Sequence, residues 1–383
     1  MIFQNKPYIT GKEFSFIKDA ITNRHLSGNG PFTNWCHDFF KTKYGFKKTL
    51  LTSSCTDALE MCAILLDIKP GDEVIMPSFT FVSTANAFIL RGARIVLADS
   101  EPGNPNIDAT KLDSLVTART KAIVVVHYAG VACNMAAIMD IASRNNIFVI
   151  EDAAQAIDSF YETGEGGKKP LGSIGQLAAF SFHESKNIHC GEGGMLVVND
   201  DRFAARAEII WEKGTNRAAF FRGEVDKYNW VDVGSSFLPS EITAAFLYAQ
   251  LLELDKIQSV RKARWNKYFE LLHPLRAAGK IQLPHIPAYA AANAHIFYLV
   301  CAGDAERDQL IAFLKQHGVQ AMFHYPGLHT SAFAIKNTGE PHAMLTHATS
   351  FSNGLLRFPL FTELEEAQVE YICSLVTKFY DAL

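Results

Sequence analysis

Short runs rich in aliphatic and β-branched residues recur through the first 150 positions, separated by apolar residues at helical spacing. Thr49–Thr52, Glu73–Met76, Arg94–Ala98, Ala122–Val126 and Ile147–Ile150 read as strands. After the first, Ala58, Met61, Cys62 and Leu65 fall at i, i+3, i+4 and i+7, one buried helical face. A helix to Arg91 follows Pro77-Ser78-Phe79-Thr80-Phe81, and Ile138–Asn145 reads as another. Near the start, Gly11–Asn23 reads as a helix and Leu26–Pro31 as a turn-rich loop. Such alternation predicts a largely parallel sheet covered on both faces. In such sheets ligands collect at the carboxyl ends of the strands.

Bulk properties narrow the remaining choices. A chain of 383 residues can hold a large core and is expected to divide in two, as a large domain over 1–245 and a smaller one over 246–383. Its formal net charge of −4 carries no basic field for nucleic acid or an anionic membrane. No apolar run approaches the ~20 residues that span a bilayer, and Met1–Lys6 lacks the pattern of a signal peptide. The seven cysteines include no Cys-x-x-Cys pair, so neither a metal site nor a disulfide framework is expected, and cytoplasm is the expected compartment.

Three strand ends carry chemistry. Ser53-Ser54-Cys55-Thr56 follows the first strand and opens a helix. Hydroxyls there can cap free N–H groups or help those groups cradle a phosphate, and capping alone needs only one. Glu151-Asp152-Ala153-Ala154-Gln155 follows Ile147–Ile150, where an aspartate can cap a helix or pair with a protonated ring nitrogen. The apolar run Leu177–Phe182 leads through His183-Glu184-Ser185 to Lys186, then to Gly191-Glu192-Gly193-Gly194 and a second run, Met195–Val198. A lysine there is either a surface residue on a hairpin or an amine whose burial lowers its pKa and makes it a nucleophile. Pyridoxal phosphate asks a protein for a lysine, a carboxylate, an anion cradle and a flat cover for its ring. Lys186, Asp152, the Ser53–Thr56 turn with Ser181, and Phe81 answer all four.

These motifs, in this order, resemble the DegT/DnrJ/EryC1/StrS nucleotide-sugar aminotransferases over essentially the whole chain. Pro77–Gly92, Val126–Cys133 and Glu212–Arg217 are most similar to the dTDP-4-amino-4,6-dideoxygalactose transaminase branch. The resemblance implies an α/β protein of fold-type I, aspartate aminotransferase-like, with a large mixed, mostly parallel sheet domain and a smaller C-terminal α+β domain. It implies pyridoxal 5'-phosphate as cofactor and Lys186 as the catalytic residue that holds its aldehyde and shuttles the proton. Asp152 would face the pyridine nitrogen, Gln155 the phenolic oxygen, and Phe81 the ring. Ser54, Cys55, Thr56 and Ser181 would hold the phosphate. Relatives bring an asparagine to that phosphate from a neighbouring subunit, whereas this chain has Ser236 in the comparable Gly234–Leu238 segment. His183, Asn216, Arg217 and His324 are the implied substrate-side residues, with Asn216 and Arg217 reaching across subunits.

Further along, a long helical pattern runs from Glu241 towards His273, and Pro274 marks its end. His295–Val300 and Val319–His324 read as strands, with a helix over Arg307–His317 between them. The resemblance implies transfer of an amino group from L-glutamate to C4 of dTDP-4-keto-6-deoxy-D-glucose, giving dTDP-4-amino-4,6-dideoxy-D-galactose. The gluco epimer and a 3-keto sugar are the alternatives. A homodimer with shared active sites is expected. Related sugar dehydratases replace the lysine with histidine, so Lys186 argues against that activity. A non-catalytic regulator is the reading from a different class, and no DNA-binding segment supports it.

Overall fold

A computed structural model of the protein describes residues 1–164, 166–338 and 345–383. Seven strands form the central sheet: β1 (Lys48–Thr52), β2 (Glu73–Pro77), β3 (Arg94–Ala98), β4 (Thr120–Val126), β5 (Phe148–Asp152), β6 (Leu177–Ser181) and β7 (Gly194–Val198). Their spatial order is β1-β7-β6-β5-β4-β2-β3. β7 runs antiparallel to both neighbours, and every other adjacent pair is parallel. The carboxyl ends of β1, β2, β4, β5 and β6 therefore share one rim, where β7 begins.

Period-two alternation assigns each strand residue to a face. Val74, Met76, Val124, Ile150 and Ala179 pack with the buried side of the helix Cys55–Leu65. Ile75, Ile123, Val125 and Val149 pack on the other face with Met135 and Ile138 of the helix Met135–Arg144. Further along that face, Leu51, Phe180 and Met195 meet Phe32 and Phe40. With both faces covered, the strands read as nearly unbroken apolar runs, as a parallel sheet requires.

Those two phenylalanines belong to a helix, Pro31–Tyr44, that the turn-rich reading of Leu26–Pro31 leaves unannounced. Its start is capped from far away in sequence. The buried Glu241 carboxylate accepts from the N–H groups of Gly30, Phe32 and Thr33 at 3.1, 2.8 and 3.1 Å, and also bonds the Thr33 hydroxyl. The N-cap, Gly30, carries no side chain to do this, and the local mark of the helix start is Pro31 at its first position.

The helical pattern from Glu241 also resolves differently from expectation. It breaks into Glu241–Leu251 and Leu254–Ala277, and the second helix runs through Pro274. In the last turn, proline forfeits a single backbone bond, while its own carbonyl still accepts from Ala278 N–H at 3.0 Å. Beyond it, Tyr298–Val300, Leu355–Arg357 and Met322–Phe323 form a three-stranded antiparallel sheet with Leu355–Arg357 at its centre. That middle strand was not anticipated, and the two expected strands are shorter than read. Tyr268, Phe297 and Phe358 pack with Ile372 and Val376 in a core of their own. No helix among the described residues is long and apolar enough to cross a membrane.

Candidate active site

The shared rim encloses a cavity of about 600 Å³, lined from the β1, β2, β5 and β6 ends and by His324, Tyr325 and Arg357 from the C-terminal segment. A second concavity of about 560 Å³ lies between the helix Val82–Ile89 and residues 328–334. Its described lining is mainly apolar and holds no carboxylate, lysine, histidine or cysteine.

Lys186 opens onto the first cavity, and burial lowers its pKa below the ordinary lysine value. Asp152 closes β5, and burial raises its carboxyl. Its Oδ2 accepts from the Thr84 hydroxyl at 2.8 Å and its Oδ1 from Ala154 N–H at 3.1 Å. Neighbouring Glu151 points to the opposite face and is wholly buried. Burial alone would raise its pKa, but bonds from His127 Nε2 (2.9 Å) and the N–H groups of Gly172 (2.7 Å) and Gly175 (2.6 Å) hold it low. His127 Nδ1 accepts from Cys133 N–H at 3.2 Å, so the ring proton sits on Nε2. This cluster pins β5 directly beneath Asp152.

Gln155 has its amide direction set by the backbone. Its Oε1 accepts from Ala129 N–H at 2.6 Å, which leaves Nε2 to donate towards Tyr325 Oη at 3.3 Å, at the cavity wall. Phe81 precedes the helix Val82–Ile89 and is half exposed, its ring 5.9 Å from that of Tyr325.

At the opposite end, the helix Cys55–Leu65 points its N-terminus into the cavity. Ser54 caps it, accepting from Asp57 N–H at 3.0 Å, and the Thr56 hydroxyl donates to Ser83 Oγ at 2.9 Å. The capping reading is thus correct for the Ser54 side chain. Cys55 and Thr56 N–H groups, in the first turn, have no intrahelical acceptor and remain for an anion. Gly194 pairs with both Thr52 and Ser181, and a Cβ there would lie 2.3 Å from the Ser54 carbonyl carbon and 2.4 Å from Cys55 N. Only glycine lets the helix start come this close to the sheet.

On the remaining wall, His183 accepts the Ser185 N–H at Nδ1 (3.2 Å), and its Nε2 lies 3.7 Å from the Glu192 carboxylate. His324 Nδ1 is 2.8 Å from Tyr128 Oη, and burial drives its pKa well down, so it is neutral.

The cavity therefore brings together Ser54, Cys55, Thr56, Phe81, Asp152, Gln155, Ser181, His183, Lys186 and His324. Within one chain it does not bring in Ser236, Asn216 or Arg217. Ser236 is exposed and bridges to Glu212. Asn216 Oδ1 accepts from Asn229 N–H at 2.7 Å, and the Arg217 guanidinium lies 5.1 Å from the Phe221 ring. Tyr325, in the His324-Tyr325-Pro326 turn that resembles the family's substrate-side turn, also lines the cavity, and so do Arg357 and Thr84, which the sequence reading does not single out. Arg357 forms no ion pair among the described residues, and its Nε is buried without a partner. Its signal was available: a lone cation in the apolar run Leu355-Leu356-Arg357-Phe358.

Residues 7–377 match the DegT/DnrJ/EryC1/StrS aminotransferase family. The chain belongs to that family. It is 34% identical to GDP-perosamine synthase of Caulobacter vibrioides over 325 residues, 83% of each chain. It is 30% identical to the spore coat polysaccharide biosynthesis protein SpsC of Bacillus subtilis over 377 residues, 97% of this chain and 95% of that one. Among solved structures, the aminotransferase TlmJ of Streptoalloteichus hindustanus superposes with a TM-score of 0.88 at 26% identity, covering 100% of this chain and 99% of that one.

The protein is a sugar aminotransferase that depends on pyridoxal phosphate. Its own residues fit that cofactor: an amine with lowered pKa, a buried carboxylate, free N–H groups at a helix start and an exposed aromatic ring share one cavity. When bound, the cofactor supplies an electron sink for carbanion chemistry at an amino-bearing carbon.

Proposed function

We propose that the protein moves the amino group of L-glutamate to C4 of a nucleotide-linked 4-keto-6-deoxyhexose. The convergence of Lys186, Asp152 and Gln155 on a helix N-terminus in one cavity carries this reading. Lys186 holds the cofactor in the resting enzyme, and its freed Nζ then takes the proton from the donor α-carbon. Asp152 keeps the ring nitrogen protonated, Gln155 Nε2 donates to the phenolic oxygen, and Phe81 covers the ring. The Cys55 and Thr56 N–H groups and the Ser181 hydroxyl would hold the cofactor's phosphate. Arg357, a cation without a counter-ion among the described residues, receives the donor carboxylate. His183 and His324 border the space left for the sugar.

Within this reading the substrate is dTDP-4-keto-6-deoxy-D-glucose and the product dTDP-4-amino-4,6-dideoxy-D-galactose, supported by the branch-like runs Pro77–Gly92, Val126–Cys133 and Glu212–Arg217. A GDP-linked sugar is a second reading, favoured by the Caulobacter relative. The test offers glutamate with dTDP- and GDP-linked 4-keto-6-deoxy sugars and with the dTDP 3-keto isomer. Proton coupling constants then give the configuration at the new C–N bond. Amination of the dTDP 4-keto sugar with an axial amine is expected. Preference for the GDP sugar moves the nucleoside assignment, an equatorial amine moves the product to the gluco epimer, and turnover of the 3-keto sugar alone ends the C4 reading.

We further infer a cytoplasmic homodimer in which Asn216, Arg217 and Ser236 approach the neighbouring subunit's cavity. The support is an apolar surface around them: Phe221, Tyr228, Val231 and Val233 are exposed, and Trp230 is 82% exposed. A lone chain has little reason to leave such side chains in water. Light scattering is expected to give twice the chain mass; a fully active monomer would contradict the shared site.

A further inference from the structure

The Thr84 hydroxyl finds its partner far away in sequence. Thr84 lies in the first turn of the helix Val82–Ile89, where the residue four earlier, Thr80, precedes the helix and offers no helical carbonyl for a back-bond. Thr84 instead donates to Asp152 Oδ2, 68 residues away, at 2.8 Å. Its oxygen lies 2.9 Å from Thr80 Oγ1, and both threonines are buried and line the cavity. An ionised carboxylate only accepts, so Thr84 must donate to it, and the Thr84 oxygen is then free to accept from Thr80. The two O–H groups then run head to tail, from Thr80 to Thr84 to the Asp152 carboxylate. Such alignment strengthens each bond in a low-dielectric interior. The same helix start carries Ser83, which receives the Thr56 hydroxyl of the anion cradle, and follows Phe81. Residues 80–84 therefore touch both ends of the cavity.

We propose that Thr84, backed by Thr80, is a positioning residue that holds Asp152 as an oriented anion for the protonated ring nitrogen of pyridoxal phosphate. The inference rests on the reading of Asp152 given above. Besides Thr84 and the Ala154 N–H, the titratable groups that face Asp152 are Lys186, His127, Tyr325 and the thiols of Cys55 and Cys62. None of these is a neutral hydroxyl donor bonded to the carboxylate, so none can replace the chain.

The test compares Thr84→Val, Thr84→Ser and Asp152→Asn with the unaltered protein, with and without pyridoxal phosphate. Without cofactor, melting temperature is measured from acid to neutral pH. Burial has already raised the Asp152 pKa, and losing the Thr84 bond raises it further, so the cost of Thr84→Val appears only where Asp152 is ionised. The gap between Thr84→Val and the unaltered protein is therefore expected to widen as pH rises, and Thr84→Ser to close it. A gap that is constant with pH means a packing role and overturns the inference. With cofactor, a less protonated ring withdraws fewer electrons, so the yellow lysine-bound form is expected to persist to higher pH in Thr84→Val, by about half a unit or more. Amino transfer should fall about tenfold to a hundredfold. If Asp152→Asn shifts the spectrum and Thr84→Val does not, the inference falls and the site reading stands. If neither shifts it, the reading of Asp152 itself is wrong.

Discussion

Lys186→Ala is expected to abolish amino transfer, by roughly four orders of magnitude or more, because one substitution removes both the cofactor's anchor and the group that carries the proton. The purified native protein should be yellow, and borohydride should fix the cofactor to the peptide containing Lys186. In the variant, cofactor should wash out on dialysis and borohydride should label nothing. With cofactor removed from both, the variant is also expected to melt no lower than the native protein. Burial lowers the Lys186 pKa, so folding works against its charged form. For a lysine shifted down, that cost is present below the folded pKa and vanishes as pH rises above the ordinary lysine value. Removing the amine relieves it at neutral pH. Near-normal turnover in Lys186→Ala would remove the basis of the assignment.

Asp152→Asn should cost on the order of 10²–10³-fold in turnover, the scale of losing one preorganised electrostatic group at a reacting centre. Its effect on stability should have the opposite sign. Burial raises the Asp152 pKa above the ordinary aspartate value. A carboxyl shifted up contributes stability below its unfolded pKa and loses it as pH rises through the folded pKa. At neutral pH the buried charge is therefore a cost, and the amide should melt at the same temperature or higher when cofactor is absent. A gain in stability with a loss of activity is the signature of a group kept for chemistry. Lower stability together with unchanged kcat would make Asp152 a structural residue and sink this role.

Both residues stood out in the sequence for a physical reason. An α/β chain carries its ligands at strand ends, so Asp152 after Ile150 and Lys186 after Phe182 fall at predictable points of a local pattern. Strand periodicity and helix faces are also local, and six of the seven central strands were marked by their own residues. The seventh, β7, was marked as an apolar run after Gly194, but its antiparallel direction emerges only from pairing with both β1 and β6.

What the tertiary structure decided is everything that depends on a partner distant in sequence. The cap of Pro31–Tyr44 is a carboxylate about 210 residues away. The direction of the Gln155 amide depends on Ala129, and the partner of Thr84 is Asp152. Arg357 reaches the cavity because its strand pairs with Tyr298–Val300 and Met322–Phe323. Periodicity along one segment reports which side is buried. It carries no information about which other segment does the burying, and a binding site is made of those second segments.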